Sequence, residues 1–106
     1  MEDTIQVRDE VWTSDGVKLG IVNALHHRLT EARPEEQLYG TYLEIYNFEL
    51  GDDYFVPLDF VALRDAEQGR LMLSVSMKEV LQRTWSRAPR FIAAAQSRRV
   101  PLTAPV

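Results

Sequence analysis

YFVPLDFVALRDAEQGRLMLSV, residues Tyr54 to Val75, is the stretch whose reading decides the fold. Its apolar residues fall into three short runs, Tyr54–Val56, Phe60–Leu63 and Leu71–Val75, rich in the aromatic and β-branched side chains that suit a pleated, half-buried surface. Leu71, Leu73 and Val75 alternate with Met72 and Ser74, a period of two that puts three aliphatics on one face. Pro57 has no N–H for a ladder, so it bends or ends the first run. Asp59 then falls at a corner, where its carboxylate can accept backbone N–H groups. Asp65–Gly69 is polar, ends in Gly and suits a hairpin loop. The stretch reads as strand, corner, strand, hairpin, strand. Such a sheet has one apolar face, which needs a covering layer or closure into a barrel.

Working outward, Glu10–Thr13 reads as a short strand and Ser14-Asp15-Gly16 as a turn, with Gly16 free to take positive φ. Val17–Ala24 reads as a second strand in which Gly20 marks a bulge or a close backbone approach. Met1–Gln6 is expected to fray. Leu25–Gln37, polar and mixed in sign, reads as a long loop with a helical turn at Pro34–Gln37. Tyr39–Phe48 returns to strand character. Leu43 and Ile45 face the core, and Tyr42 and Tyr46 the other side, either as cross-strand aromatic packing or as an interaction surface. Gly51-Asp52-Asp53 turns the chain into the central stretch.

After Val75 the period changes. Ser76-Met77-Lys78-Glu79 is a capping box, and Met77, Val80, Leu81 and Trp85 recur at helical spacing. These predict a helix over Met77–Thr84 whose apolar stripe covers an open end or edge of the sheet. Phe91–Arg99 reads as a second helix, with Pro89 near its start, three alanines inside, and Arg98 and Arg99 at its negative end. Pro101 stops it, and Pro101–Val106 is expected to be a flexible end.

A length of 106 residues, 45% hydrophobic and 26% charged, fits one ordinary globular domain with a working core. There is no Cys, which removes disulfides, thiolate chemistry and Cys-based metal sites. No apolar run reaches the ~18 residues of a membrane span, and the acidic start is not a secretory signal, so the expected location is cytoplasmic. The net charge of −4 is unevenly spread. Met1–Val75 carries six basic and fifteen acidic residues; Ser76–Val106 carries six basic and one acidic. Body and tail can attract each other, within a chain or between chains, or the tail is simply solvated.

Chemistry is sparse. His26-His27 is the only histidine content, and neighbours on a strand point to opposite faces, so a solvated pair at a loop entrance is expected rather than a metal site. Asp52, Asp53 and Asp59 suit turn and capping roles. Ser14, Ser74 and Ser76 lack a base or a nucleophile elbow, and no phosphate-binding glycine motif occurs. The expectation is a non-enzyme with no cofactor and no metal.

The order of motifs resembles PRC-barrel-like domains. Trp12-Thr13-Ser14-Asp15-Gly16-Val17-Lys18-Leu19-Gly20-Ile21-Val22 resembles that family's opening hairpin, and Tyr42-Leu43-Glu44-Ile45 its middle strand. Tyr54-Phe55-Val56-Pro57-Leu58-Asp59 matches its YVPLD signature, and Leu71 to Val80 its LxLSVSKDEV close. The resemblance spans roughly Val11–Trp85. It implies a mainly β protein, a small six-stranded or nearly six-stranded barrel with one or two C-terminal helices. Residues 7–88 are expected to form that domain with its closing helix, and 89–106 a basic extension. Relatives include the cytoplasmic part of the photosynthetic reaction-centre H subunit and a domain of a ribosome maturation factor. They are binding and assembly modules with no shared catalytic residues. The long 25–37 loop and the extension depart from the pattern and could cover the relatives' partner surface.

The expected function is therefore a non-catalytic protein–protein interaction or assembly module, self-associating as a homo-oligomer such as a homodimer. Its candidate interaction residues are Trp85, Arg87, Arg90, Phe91, Ile92, Arg98 and Arg99. The alternative is binding to RNA or the ribosome, the arginines contacting phosphates and Trp85 and Phe91 stacking bases. The acidic body argues against it. A small-molecule site inside the barrel is limited by size, because small barrels are filled by their own side chains.

Overall fold

The computed structural model describes residues 4–28, 40–83, 85–89, 92, 97–100 and 102, without the side chains of residues 28 and 97. Among these residues seven strands and a short α-helix follow one another. They are β1 (Glu10–Trp12), β2 (Lys18–Arg28), β3 (Thr41–Asn47), β4 (Asp52–Pro57), β5 (Val61–Asp65), β6 (Arg70–Leu73), α1 (Met77–Gln82) and β7 (Ser97–Val100). A 3-10 turn over Leu58–Phe60 joins β4 to β5.

The central stretch folds as its pattern dictates. β4 ends at Pro57, the corner is the 3-10 turn with Asp59 exposed in it, and β5 and β6 form a hairpin. At the hairpin loop, Asp65 Oδ1 accepts the N–H groups of Glu67 and Gln68, and Gly69 supplies the positive φ of 63°. The Ser76 cap is formed reciprocally: its hydroxyl accepts from Glu79 N at 3.2 Å, and its own N–H donates to Glu79 Oε1 at 3.3 Å.

The sheet has the order β4-β3-β2-β1-β6-β5, with β7 beside the far half of β2. All neighbours are antiparallel except β1 and β6, which run parallel. Inward side chains from the whole order, among them Val11, Leu19, Val22, Leu25, Leu43, Ile45, Val56, Leu71 and Leu73, meet in one buried cluster. Gly20 is where β2 passes closest to β3, since a Cβ there would run into the Tyr46 backbone carbonyl. Register shifts fall on either side of it, and the one at Val22/Ala24 changes which parity of β2 faces inward.

Several expectations need correction. The strands do not close into a barrel: the hydrogen-bonded order ends at β4 and β5. The corner is a 3-10 turn and not a hairpin turn, Pro57 has no N–H to offer, and the Phe55 N–H on β4 is taken by Trp85. Instead the gap is filled by Trp85, whose ring lies 4.9 Å from that of Phe60 and whose carbonyl accepts the Phe55 N–H at 2.7 Å. The helical stripe is narrower than its spacing implied. Val80 and Trp85 are buried and Met77 packs beside them, but Leu81 is exposed.

Nor does the second helix extend to Arg99. Ile92 is helical, its N–H donating to Pro89 O, yet Ser97–Val100 is a strand on β2 that sets Val100 opposite Leu25. Leu25–Arg28, expected to begin a loop, continue β2. Ile5, expected to fray, is fully buried in the core. The helical turn at Pro34–Gln37 and nearly all of Pro101–Val106 lie outside the described residues; Leu102 packs against the core.

The N-terminal segment is held by a buried ion pair. Arg64 on β5 donates to both carboxylate oxygens of Asp9, at 2.8 and 2.9 Å, and Asp9 also caps Gln6 N. That fork geometry favours the charged form of Arg64, whose pKa is raised, first by the Asp9 hydrogen bonds.

Candidate interaction surface

The outer face of the sheet is apolar at one end. Alternation along β1, β2 and β3 sends Trp12, Ile21 and Tyr46 outward as Val11, Val22 and Ile45 go in. The turn after β3 adds Phe48 and Leu50, 71% and 64% exposed. Asn47 builds this turn: its Oδ1 accepts from Leu50 N at 3.0 Å, and its Nδ2 donates to Leu19 O at 2.9 Å. Gly51 then takes a φ of 70° to re-enter β4. The Phe48 ring stands edge-on to Tyr46, with centroids 4.6 Å apart. The result is a groove of about 430 Å³ between Trp12, Lys18, Gly20, Ile21, Tyr46, Asn47, Phe48 and Glu49.

One wall already holds a charged ring contact. The Arg70 guanidinium sits 4.8 Å from the Trp12 ring centroid while its Nε donates to Glu10 Oε1 at 3.0 Å. Trp12 Nε1 donates to the same oxygen, and Lys18 pairs with the other. These partners, Trp12 first and then Lys18, hold the Glu10 carboxyl below its usual range. The opposite rim is acidic: Glu49, Asp52 and Asp53 are exposed there. Asp53 is pushed up from its usual value, first by partial burial and then by repulsion from Glu44 and Asp52.

The far end of β2 is polar. His26 is buried rather than solvated; its Nε2 lies 3.3 Å from Glu44 Oε1, and Asn23 Nδ2 donates to the other Glu44 oxygen. His27 points the other way and meets Arg98 Nη2 through Nδ1, at 3.2 Å. A guanidinium can only donate, so Nδ1 accepts there. Among the described residues no group of three His, Asp or Glu is placed to hold a metal ion.

The residues singled out in sequence are dispersed. Trp85 is in the core. Ile92 packs with Ala88 against Tyr42 and Phe55 on the outer face. Arg98 and Arg99 are exposed on β7, and Arg87 is exposed beyond α1. Arg90 and Phe91 lie outside the described residues. Sequence reasoning missed Phe48 and Leu50. Their signal was present: two large apolar residues inside a turn, between Asn47 and Gly51, have no local reason to be apolar. Of the two same-face tyrosines, Tyr42 serves outer-face packing, while Tyr46 lines the groove.

No protein family, curated protein or solved structure matches this chain. Its surface chemistry therefore carries the functional reading. Among the described residues no helix is long and apolar enough to cross a membrane.

Proposed function

We propose that this chain is a non-catalytic protein–protein interaction module that associates with itself, and that it is a relative of the PRC-barrel-like domains. The observation that carries the interaction reading is the exposed groove of Trp12, Ile21, Tyr46 and Phe48, with Leu50 beside it. Aromatic side chains left in water on a rigid turn are typical contact anchors, because they bury large area at low entropic cost. The kinship is supported by the order of motifs, which fall on β1–β2, β3, β4 and β6–α1. The sheet departs from that family by remaining open between β4 and β5.

Light scattering and sedimentation at micromolar concentration test the reading. The wild-type chain is expected to associate, and Phe48→Ser to weaken association with its melting temperature nearly unchanged. A strictly monomeric wild type overturns it. A second reading, RNA binding, draws on Arg87, Arg98 and Arg99, which are exposed and have no carboxylate partner among the described residues. It requires salt-dependent affinity that falls in Arg98→Ala and Arg99→Ala. Absence of RNA binding at low salt removes it.

A further inference from the structure

Charge along this chain is sorted into blocks. Residues 40–63 contain five carboxylates (Glu44, Glu49, Asp52, Asp53, Asp59) and no Lys or Arg. Residues 80–106 contain five arginines and no Asp or Glu. The fold sets three of these carboxylates apart from Arg99, while Glu44 stays near it beside His26. Glu49 lines the aromatic groove, and Asp52 and Asp53 lie opposite its Asn47 and Tyr46, at the end of the sheet where Tyr46 faces Ile21. Arg99 and Arg98 lie opposite His26 and His27, near the other end of β2. At about 3.3 Å per residue, the five steps of β2 from Ile21 to His26 hold the two sites roughly 17 Å apart. No ion pair joins the blocks among the described residues. Arg99 shares the outer face with His26, the same face that carries the groove.

We propose that two copies of the chain pair antiparallel through this face, the acidic aromatic corner of each receiving Arg99 at the β7 end of the other. This rests on the self-association reading and specifies its geometry. A charge separation left open within one molecule among the described residues closes twice in such a pair, and the two-fold arrangement pairs both ends. Arg70 over Trp12, held by Glu10, shows the motif that each incoming arginine would repeat: guanidinium on a ring, with a carboxylate beside it.

The test is a charge swap read by sedimentation. Glu49→Arg with Asp52→Arg makes the corner basic, and Arg99→Glu puts a carboxylate at the β7 end. Each variant alone is expected to dimerise about tenfold or more weakly than wild type, because like charges then face each other. An equimolar mixture of the two is expected to associate again, since corner and end are complementary in both directions. High salt should weaken the wild-type dimer. Thermal melts check that each variant is folded; if the double variant at the corner melts early, Glu49→Arg alone at its exposed position replaces it.

If wild type dimerises and the reversals leave its affinity unchanged, the docking geometry is overturned while self-association stands. Failure of folded variants to re-associate on mixing also overturns the geometry. A monomeric wild type overturns both readings. If that monomer binds a synthetic arginine-rich peptide at the corner, the occupant is a different basic protein and the second-copy proposal is wrong.

Discussion

The two faces of the sheet use similar side chains for opposite ends. On the inner face Leu25, Leu43, Ile45, Val56 and Leu71 are fully buried, sealed by α1 and by Trp85. On the outer face Phe48 and Leu50 stand in water beside Trp12 and Tyr46. Hydrophobicity alone does not separate them, since each residue is a strand or turn position with a large apolar side chain. What separates them is whether the chain supplies a cover. The inner face is covered by elements later in the sequence. Among the described residues, Ala88 and Ile92 cover the outer face at Tyr42 and Phe55. Burial on one side holds the fold together; exposure on the other leaves apolar area available for association.

This contrast can be broken or sharpened by substitution. Asp9→Ala should have the largest effect, about 3–5 kcal/mol, because it leaves the Arg64 guanidinium buried without its carboxylate. Urea denaturation measures it, and a loss below ~1 kcal/mol would show that Arg64 finds water instead. Leu43→Ala on the inner face should cost about 3 kcal/mol by opening a cavity in a site with no solvent access. The matched outer-face change, Leu50→Ser, should alter stability by less than ~0.5 kcal/mol. Equal losses at the two positions would abolish the distinction between the faces. Ser76→Ala removes the cap of the helix that seals the inner face and should cost about 1 kcal/mol; an unchanged melting temperature would show that the seal does not need its cap.

The smallest effect concerns Asp53 at the acidic corner. Its carboxyl titrates above the usual value in the folded chain, so the ionised form is disfavoured there relative to the unfolded chain. The folded state therefore gains relative stability as pH falls through the raised value. Asp53→Asn should raise the melting temperature slightly at neutral pH, and the advantage should vanish below the carboxylate range. An advantage that persists in acid would place its origin elsewhere.

Local signals were legible in the sequence. Alternation in Leu71–Val75, Pro57, the Asp65–Gly69 loop and the Ser76–Glu79 box each act within a few residues, and each forms where its pattern places it. Errors arose where a partner distant in sequence decides the structure. His26 and His27 look like loop residues until Glu44 and Arg98 are brought beside them. Ser97–Val100 follows an alanine run with good helix propensity, but pairing with β2 overrides it and puts Val100 against the core. Trp85 sits on the helical spacing that predicts burial, yet it was also offered as a contact residue; its place under Phe60 and beside β4 depends on the corner at Leu58–Phe60. For the groove, alternation in β3 puts Tyr46 on the outer face, while Trp12, Ile21 and Phe48 join it through strand pairing and a turn that local pattern does not disclose.

β1 has only three residues, yet among the described residues it is the strand that links β2-β3-β4 to β6-β5 in the hydrogen-bonded order. The β2-β3-β4 meander and the β5-β6 hairpin can each assemble from neighbours in sequence. The rail between them comes from the earliest part of the chain and locks only after residue 73 has been made. Folding during synthesis is thus held open until the last sheet partner of that rail emerges. A deletion or bulky fusion that displaces it would split the molecule into two half-sheets rather than trim its edge.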